Sequence, residues 1–435
     1  MLGLFLYFYF MNIETLHKVF LDCNAISTDT RKVAENNMFF ALSGDNFNGN
    51  TFAKEALKKG AKIAVIDDKD YYLSEKTILV KNSLKTLQAL ANYHRHYLGV
   101  KIIALTGSNG KTTTKELINT VLSQKYNTTA TIGNLNNHIG VPLTLLSMTK
   151  QTEIGIVEMG ANHQKEIEFL CQIAQPDYGY ITNFGKAHLE GFGGVEGVIK
   201  GKSELYDYLI NHDKHIFINA DDNIQKDKLN NYIKKYGFSQ NDSNYQKIEF
   251  LVANPFVAFK IKDTTITSNL IGEYNFTNLC AASTIGLYFN VEMEAIKKAI
   301  ESYIPTNNRS QIIKKGSNTI ILDAYNANPS SMEVALKNFT KQTQSNKIAI
   351  LGDMFELGNS ASEEHQYITD FANSLNIDSI FLIGENFYKS KSNNLKTKQY
   401  QSFEEFKANF KPIKSSTLLI KGSRGMALER VLELL

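Results

Sequence analysis

The sequence is poor in cysteine, and its three cysteines, Cys23, Cys171 and Cys280, are far apart. No C-x-x-C pair or metal-type spacing occurs, which argues against a disulfide scaffold and a cysteine-ligated metal site. A sparse, odd count fits a reducing compartment, so we expect a cytoplasmic protein. We interpret the three thiols as small core residues.

The sequence also lacks an excess of charge of one sign. Lysine and arginine total 47, aspartate and glutamate total 44, and the net charge is only +3. Nucleic-acid-binding proteins usually concentrate basic charge on one face, so nucleic acid is not an expected partner. At 435 residues the chain is too long for one core, and we expect two to four domains.

No apolar run approaches the length of a membrane span. The first ten residues are apolar, but they cover about half the required length. They also lack the basic region and the small-residue cleavage site of a secretory signal. We therefore predict no membrane insertion. Met11 opens an ordinary amphipathic stretch, and we hypothesise that translation starts there, which the intact mass of the native protein would test.

The most informative stretch is 105–114, LTGSNGKTTT. An apolar run precedes it and a helical pattern follows, so it predicts a strand, a glycine turn and a helix start. Glycines allow the backbone to curl around an anion, and the N–H groups at the helix start point at that anion. Lys111 can reach a terminal phosphate, and Thr112 can offer its hydroxyl to Mg²⁺. Leu105 stands where the general phosphate-loop pattern has glycine.

Apolar runs alternate with helical patterns along the whole chain, which predicts an α/β protein with mostly parallel sheets. The predicted strands include 37–42, 61–66, 101–105, 154–159, 178–182, 215–220, 319–323, 347–351, 379–383 and 417–420. Breaks in the pattern predict three domains. These are a small N-terminal α/β domain (11–98), a central domain with a mostly parallel sheet that contains the phosphate loop (99–306) and a C-terminal domain with another open parallel sheet (307–435).

Polar residues at predicted strand ends are candidates for chemistry, because ligands gather beyond the carboxyl ends of parallel strands. Glu158 ends an apolar strand, where a carboxylate needs a partner such as Mg²⁺. Asn183 and His188 follow the next strand, although a lone loop histidine is more often structural. By local composition, Lys202 is a solvated lysine on a helix.

Two further segments have both a functional and an ordinary interpretation. Asp323 follows a strand and could take ribose hydroxyls, and Tyr325 could pack on a base. The same segment could equally be a helix-capping turn at 328–330. Residues 27–31 cluster hydroxyls, a carboxylate and a guanidinium, which by themselves favour a polar turn.

Several stretches together resemble the Mur ligase family of bacterial cell-wall synthesis, over essentially the whole chain from Met11. The loop TGSNGKTT (106–113) is similar to the family's shortened phosphate loop, which relatives such as folylpolyglutamate synthetase share. Segments 133–142 (GNLNNHIGVP), 323–332 (DAYNANPSSM), 351–358 (LGDMFELG) and 421–424 (KGSR) resemble the branch that adds D-alanyl-D-alanine to UDP-N-acetylmuramoyl tripeptide.

The resemblance implies that 11–98 binds the UDP-sugar, that 99–306 is a parallel-sheet P-loop ATPase domain and that 307–435 is a Rossmann-like ligase domain. It implies ATP and Mg²⁺ as cofactors, UDP-N-acetylmuramoyl tripeptide and D-alanyl-D-alanine as substrates, and a monomer. It implies that Lys111, His188, Lys202 and Arg309 take part in catalysis, Lys202 being a candidate for carbamylation. The implied metal contacts are Thr112, Glu158 and His188. The implied nucleotide contacts are Thr106, Gly107, Ser108, Asn109, Gly110, Lys111, Thr112, Thr113, Asn275, Asn278, Arg309, Asp323, Tyr325 and Asn326. The implied substrate contacts are Ser27, Thr30, Arg31, Asn134, Asn136 and Asn137.

One position departs from the family pattern, because Tyr274 stands where histidine is usual. The resemblance implies that the tripeptide carboxylate is phosphorylated by ATP and that the dipeptide amine then attacks the acyl phosphate. Two alternatives remain open. One is another amide ligase of the superfamily, such as a folylpolyglutamate synthetase, and the other is a nucleotide-binding scaffold without ligase activity.

Overall fold

The structure is a computed structural model that describes residues 12–342 and 346–435. The hypothesis about Met11 as the start lies outside the described residues. The chain forms three main β-sheets in sequence order, with helices on their faces, which confirms the predicted α/β class. Among the helices of these two ranges, none combines the length and the apolarity that a membrane crossing requires.

The N-terminal region contains a four-stranded parallel sheet in the order β1-β2-β5-β6. Its elements are α1 (Ile13–Leu21), β1 (Ile26–Ser27), β2 (Met38–Phe40), the hairpin β3 (Ser43–Gly44) and β4 (Phe47–Asn48), α2 (Ala53–Lys58), β5 (Ile63–Ile66), β6 (Thr77–Leu79) and α3 (Ser83–Leu98). All four sheet strands end at the same edge because they are parallel.

The central region is built on a nine-stranded sheet in the order β15-β14-β13-β12-β11-β10-β7-β9-β8. Its strands are β7 (Lys101–Thr106), β8 (Thr128–Ala130), β9 (Ile154–Glu158), β10 (Tyr178–Ile181), β11 (His215–Asn219), β12 (Lys235–Ser239), β13 (Gln246–Ala253), β14 (Phe256–Ile261) and β15 (Thr264–Ile271). Its helices are α4 (Lys111–Leu122), α5 (Gly140–Leu146), α6 (Glu166–Ala174), α7 (Leu189–Phe192), α8 (Val195–Asn211), α9 (Asn223–Leu229), α10 (Asn275–Tyr288) and α11 (Met293–Ser302).

The C-terminal region has a six-stranded sheet in the order β16-β17-β21-β18-β19-β20, parallel except for its edge strand β16. Its elements are β16 (Gln311–Lys315), β17 (Asn318–Asp323), α12 (Pro329–Thr340), β18 (Lys347–Gly352), α13 (Ala361–Ser374), β19 (Ser379–Ile383), α14 (Glu385–Lys389), β20 (Thr397–Tyr400), α15 (Phe403–Asn409) and β21 (Thr417–Lys421). Buried aliphatic side chains fill both faces of its middle strands.

The sheet of the central region explains the phosphate loop's position. Strand β7 lies between β9 and β10, and Ile102 to Leu105 are fully buried. Fully buried parallel strands read as continuous apolar runs, which is why this part was predictable. The antiparallel strands β14 and β15 were not predicted. Strand β15 carries a weak apolar signal because its polar and apolar residues alternate, with one face buried, whereas β14 was missed although Val257, Ala258 and Phe259 are buried in succession.

Two buried histidines join the N-terminal helices to the central region. His17 Nε2 lies 2.9 Å from His94 Nδ1, and His94 Nε2 lies 3.0 Å from the carbonyl oxygen of Met148. Burial lowers the pKa of His17 to about 4, and burial also lowers the pKa of His94. The folded protein therefore holds both imidazoles neutral at a pH where the unfolded chain would protonate them.

This pair predicts an acid-sensitive contact. Below the ordinary histidine pKa near 6.5, the two imidazoles are protonated in the unfolded chain but remain neutral in the folded chain. The free energy of unfolding should therefore fall as pH drops from about 6.5 towards 4. Thermal melting across this range should show a smaller pH dependence in the double variant His17→Phe/His94→Leu. His96→Gln, an exposed histidine on the same helix, serves as the control. An unchanged pH slope in the double variant would contradict this interpretation.

Candidate active site

A cavity of about 1090 Å³ lies at the carboxyl ends of the central strands and is closed on one side by the C-terminal region. Most of the residues that were predicted from the sequence to be site residues line this cavity. Those lining it are Ser108, Asn109, Gly110, Lys111, Thr112, Thr113, Asn134, Asn136, Asn137, Glu158, His188, Asn275, Asn278, Arg309, Asp323, Tyr325 and Asn326.

The phosphate loop connects β7 to the N-terminus of α4. Gly107 has φ +139°, and a Cβ there would lie 2.0 Å from Thr182 Oγ1, so only glycine fits. The backbone of Asn109 is tied to the end of β10, since its N–H donates to Asn183 Oδ1 at 3.1 Å and its carbonyl accepts from Thr182 Oγ1 at 2.6 Å. The loop is thus held against the neighbouring strand end, with the start of α4 facing the cavity.

Positive charge accumulates in this cavity. Lys111 Nζ donates to the carbonyl oxygens of Gly107 and Ser108 at 2.7 and 3.2 Å. Burial lowers the pKa of Lys111 to about 8, the Glu158 carboxylate opposes this shift, and the Arg309 charge adds to it. Two cations that repel each other inside a cavity favour an anionic ligand such as a polyphosphate.

Glu158 ends β9 beside the phosphate loop and is 1% exposed. Its Oε1 accepts a 2.7 Å hydrogen bond from Asn136 Nδ2, but its Oε2 is buried without a hydrogen-bond partner. An unpaired buried carboxylate oxygen is costly unless a cation compensates it. Thr112, also buried, starts α4 on the same cavity wall.

These two side chains fit the preferences of Mg²⁺, which takes oxygen ligands from one or two carboxylates together with substrate phosphates. Within residues 12–342 and 346–435 there is no cluster of three or more His, Cys, Asp or Glu side chains arranged to hold a metal. A metal in this cavity would therefore need oxygen atoms from the nucleotide as well as from the protein.

His188 follows β10 and adopts a left-handed backbone conformation with φ +54°. Its Nδ1 contacts a carboxylate oxygen of Glu356, which belongs to the C-terminal region, and the imidazole lowers the pKa of Glu356. A non-glycine residue in this conformation is uncommon and is held by its surroundings. The histidine thus sits at the junction between two regions of the chain.

Another wall of the cavity is formed by α10, which packs along α4. Asn278 Oδ1 accepts from Thr114 Oγ1 at 3.0 Å, and Asn278 Nδ2 donates to Asn275 Oδ1 at 2.9 Å. Asn275 Nδ2 in turn donates to the carbonyl oxygen of Ile271 at 2.8 Å. This chain of amides fixes Asn275 and holds Asn278 against Gly110.

The C-terminal wall carries Arg309, Asp323 and Tyr325. The guanidinium carbon of Arg309 lies 3.7 Å from the centroid of the Tyr325 ring. Asp323 Oδ2 accepts a 2.6 Å hydrogen bond from the buried Lys421 Nζ, and Asp323 Oδ1 accepts from the N–H of Ser310 at 3.2 Å. Asp323 is therefore held in place by two groups of its own region.

Six of the predicted site residues do not line this cavity: Thr106, Gly107, Lys202, Ser27, Thr30 and Arg31. Lys202 is fully buried in α8, where its Nζ donates to the carbonyl oxygen of Ala161 at 3.0 Å and lies 4.9 Å from the Phe192 ring centroid. The prediction of a solvated lysine, made from local composition, is wrong. Burial lowers the pKa of Lys202 well below its usual range, and the Lys111 charge acts in the same direction.

Ser27, Thr30 and Arg31 lie at the carboxyl edge of the N-terminal sheet. Ser27 Oγ donates to the carbonyl oxygen of Asp29, and the exposed Arg31 pairs with the Asp29 carboxylate at 2.8 Å. The residues that follow β2, β5 and β6 line a second cavity of about 1050 Å³, formed by 43–48, 50, 67–69 and 79–81. Both groups therefore lie at one edge of the same parallel sheet.

Several residues that complete the site were not predicted as site residues. Lys421 pairs with Asp323, and the two residues are in register on the neighbouring strands β21 and β17. Asn328 and Ser330 reach the phosphate loop, since Asn328 Nδ2 donates to Asn109 Oδ1 at 2.8 Å and Asn109 Nδ2 donates to Ser330 Oγ at 3.1 Å. Asn328 also caps α12, so the capping interpretation of this segment is confirmed. A charged residue ending an apolar strand was the available signal for Lys421.

Family models match nearly all of the chain. The Mur ligase family, catalytic domain, matches residues 22–95, the Mur ligase middle domain matches residues 105–286, and the Mur ligase, glutamate ligase domain, matches residues 308–424. The chain belongs to the Mur ligase family. The middle-domain match begins at Leu105 and includes the whole phosphate loop.

Comparison with individual proteins shows which members of the Mur ligase family this chain resembles. The chain is 33% identical to the UDP-N-acetylmuramoyl-tripeptide--D-alanyl-D-alanine ligase of Bacillus subtilis, over 94% of this chain and 92% of that protein. It is 30% identical to the Escherichia coli ligase of the same name, over 95% and 93%. The MurF structure from Acinetobacter baumannii superposes with a TM-score of 0.85 at 28% identity, over 97% and 98%. MurF from Thermotoga maritima in complex with ADP superposes with a TM-score of 0.80 at 26% identity, over 95% and 97%.

Proposed function

We propose that this Mur ligase joins D-alanyl-D-alanine to UDP-N-acetylmuramoyl tripeptide, with ATP converted to ADP and phosphate. The proposal rests on a cavity suited to a polyphosphate in a chain that, over nearly its full length, is similar to UDP-N-acetylmuramoyl-tripeptide--D-alanyl-D-alanine ligases. The product, UDP-N-acetylmuramoyl pentapeptide, is a precursor of peptidoglycan.

The tripeptide carboxylate must be activated before the dipeptide amine can attack it, because an oxide is a poor leaving group. The terminal carboxylate oxygen of the tripeptide attacks the γ-phosphorus of ATP, so a new O–P bond forms and the bond to the ADP oxygen breaks. The amine of the dipeptide then attacks the acyl carbon, an amide bond forms, and inorganic phosphate leaves with its oxygen. The amine loses its proton in this step.

Phosphoryl transfer needs positioning and charge neutralisation more than covalent help. In this proposal Lys111 and Arg309 approach the phosphates from two sides of the cavity and stabilise the charge that develops on the transferred group. The loop residues 106–113 hold the phosphates, and Asn275 and Asn278 contact the nucleotide. Asp323, Tyr325 and Asn326 hold the ribose and base.

Mg²⁺ is proposed as the second cofactor. Thr112 and Glu158 would hold it, with His188 close to the same site, and it would supply further positive charge to the phosphate oxygens. The unpaired Oε2 of Glu158 supports this assignment. Lys202 is proposed as a site of carbamylation, since a buried amine with a lowered pKa is more readily neutral and nucleophilic.

In this proposal UDP-N-acetylmuramoyl tripeptide spans the N-terminal and central regions, and the C-terminal region admits the dipeptide amine. Ser27, Thr30 and Arg31, at the carboxyl edge of the N-terminal sheet, contact the UDP group, and the adjoining second cavity gives room for it. Asn134, Asn136 and Asn137 contact the peptide part near the γ-phosphate. The three domains 11–98, 99–306 and 307–435 act together in a cytoplasmic monomer.

An omission assay tests the proposal. Phosphate release should require ATP, UDP-N-acetylmuramoyl tripeptide and D-alanyl-D-alanine together, because the acyl phosphate forms only on the tripeptide and turns over on the dipeptide. Lysine-containing and diaminopimelate-containing tripeptides should be assayed separately. Steady release without the dipeptide would contradict the proposal, and release with folate and glutamate instead would favour the folylpolyglutamate alternative.

A further inference from the structure

Arg309 is carried by the segment 303–310, which connects α11 to β16. The residues on either side of Arg309 have left-handed backbones, with φ +56° at Asn308 and φ +51° at Ser310. Such conformations are uncommon for residues other than glycine and persist when the surroundings enforce them. The segment therefore needs anchors, and the structure supplies one at each end.

The first anchor is Glu116, on the phosphate-loop helix α4. Its Oε2 accepts a 2.5 Å hydrogen bond from the Tyr303 hydroxyl, and its Oε1 accepts a 2.9 Å hydrogen bond from Asn307 Nδ2. Glu116 does not line the main cavity. It lies about one and a half turns after Lys111 on the same helix. One rigid element thus carries Lys111 and holds the start of the segment that carries Arg309.

The second anchor is Tyr274, the residue that departs from the family pattern. Its hydroxyl oxygen lies 2.5 Å from Ser310 Oγ, and the Ser310 N–H donates to Asp323 Oδ1 at 3.2 Å. Ser310 is almost fully buried. These two contacts fix the residue directly after Arg309 between the central and C-terminal regions.

Arg309 itself has few polar contacts of its own. Its Nε is buried without a hydrogen-bond partner, and its guanidinium lies over the Tyr325 ring. Stacking on a ring sets the height of a planar guanidinium above that ring but permits it to slide and rotate. The backbone of the segment must therefore supply most of the positional restraint on this cation.

We propose that Glu116 and Tyr274 are positioning residues that set the place of Arg309 opposite Lys111. The inference rests on the proposed function, because it assigns the consequence of misplacing Arg309 to phosphoryl transfer. Neither residue needs to contact the tripeptide or the dipeptide for this role. Their effect on catalysis passes through the Arg309 guanidinium.

A double-mutant cycle tests whether Glu116 acts on catalysis through Arg309. We expect Glu116→Ala to lower kcat by about tenfold or more, since small displacements of a catalytic group cost one to two orders of magnitude in rate. The KM for D-alanyl-D-alanine should stay within about twofold. In an Arg309→Ala background, Glu116→Ala should change the residual kcat by less than about twofold, because the group through which it acts is gone.

Removal of single hydroxyl groups keeps the test independent of folding defects. Tyr303→Phe and Tyr274→Phe each delete one anchor hydrogen bond and should also lose most of their effect in the Arg309→Ala background. Tyr126→Phe is the matched control, because its hydroxyl donates to the Phe289 carbonyl oxygen at 2.8 Å in the central region, away from the segment. It should leave kcat unchanged.

Calorimetric titration with Mg²⁺ and a non-hydrolysable ATP analogue repeats the cycle without ligation. Glu116→Ala should weaken binding by about threefold or more only when Arg309 is present. Equal effects of Glu116→Ala in both backgrounds, or no effect in either, would overturn the inference. If the wild-type protein shows no dipeptide-dependent ligation, the proposed function fails, while the binding cycle still decides whether Glu116 acts through Arg309.

Discussion

Replacing Lys111 with alanine should reduce ligation by at least about 10²–10³-fold, the range found when one preorganised electrostatic group is removed from an active site. Lys111 is the cation at the start of α4, its ammonium group lies within the phosphate loop, and its charge interacts with those of Glu158 and Arg309. The lining also contains Lys165 and Lys421, but Lys165 pairs with Glu168 and Lys421 pairs with Asp323, so neither should compensate the loss.

The measurement is kcat for phosphate release at saturating tripeptide and dipeptide, together with affinity for ATP. Lys101→Ala is the matched control, because Lys101 is the exposed first residue of the same strand β7 and should leave both values unchanged. Near-normal turnover of Lys111→Ala, with a melting temperature like that of the wild type, would contradict the assignment of this loop to the ATP phosphates.

Replacing Glu158 with glutamine should shift the Mg²⁺ dependence strongly. The Mg²⁺ concentration for half-maximal activity should rise by about tenfold or more. Residues that only hydrogen-bond to a metal ligand typically change metal affinity or activity by about 10–100-fold, and Glu158 is a direct ligand in the proposal. Glutamine keeps the shape of the side chain and can still accept from Asn136, so the change isolates the charge. Raising the Mg²⁺ concentration should restore part of the lost rate.

The same substitution makes a separate prediction without substrates. Because glutamine removes an unpaired buried charge at Glu158 Oε2 but also removes its attraction to Lys111, the metal-free melting temperature should change little. Glu249→Gln, on the exposed side of β13, should alter neither property. An unchanged Mg²⁺ dependence in Glu158→Gln would contradict the role assigned to this carboxylate.

The fold and the nucleotide loop were predictable because both depend on local sequence patterns. The run 102–105 is buried on both sides, so its residues are all apolar, and the glycines that follow must permit a tight turn around an anion. Alternating strands such as β15 carry a weaker signal, and the prediction missed them. Lys202 was misjudged from its neighbours because its burial depends on the distant Phe192 ring and Ala161 carbonyl.

Contacts between regions could not be predicted from local patterns. Glu116 looks like an ordinary surface glutamate on an amphipathic helix, and only the folded chain brings Tyr303 and Asn307 to it. The same holds for Asn109, which meets Asn328 and Ser330 more than 200 positions further along the chain. The phosphate loop is therefore a local feature of the sequence, whereas the completed site is a property of the assembled fold.

The most direct test of the account follows the oxygen atoms. Tripeptide labelled with ¹⁸O in its terminal carboxylate should yield UDP-N-acetylmuramoyl pentapeptide, heavier than the tripeptide by D-alanyl-D-alanine less one water. One labelled oxygen should appear in each molecule of released phosphate, because the acyl phosphate transfers it there. Absence of the pentapeptide, or its formation with unlabelled phosphate, would contradict the proposed ligation through an acyl phosphate.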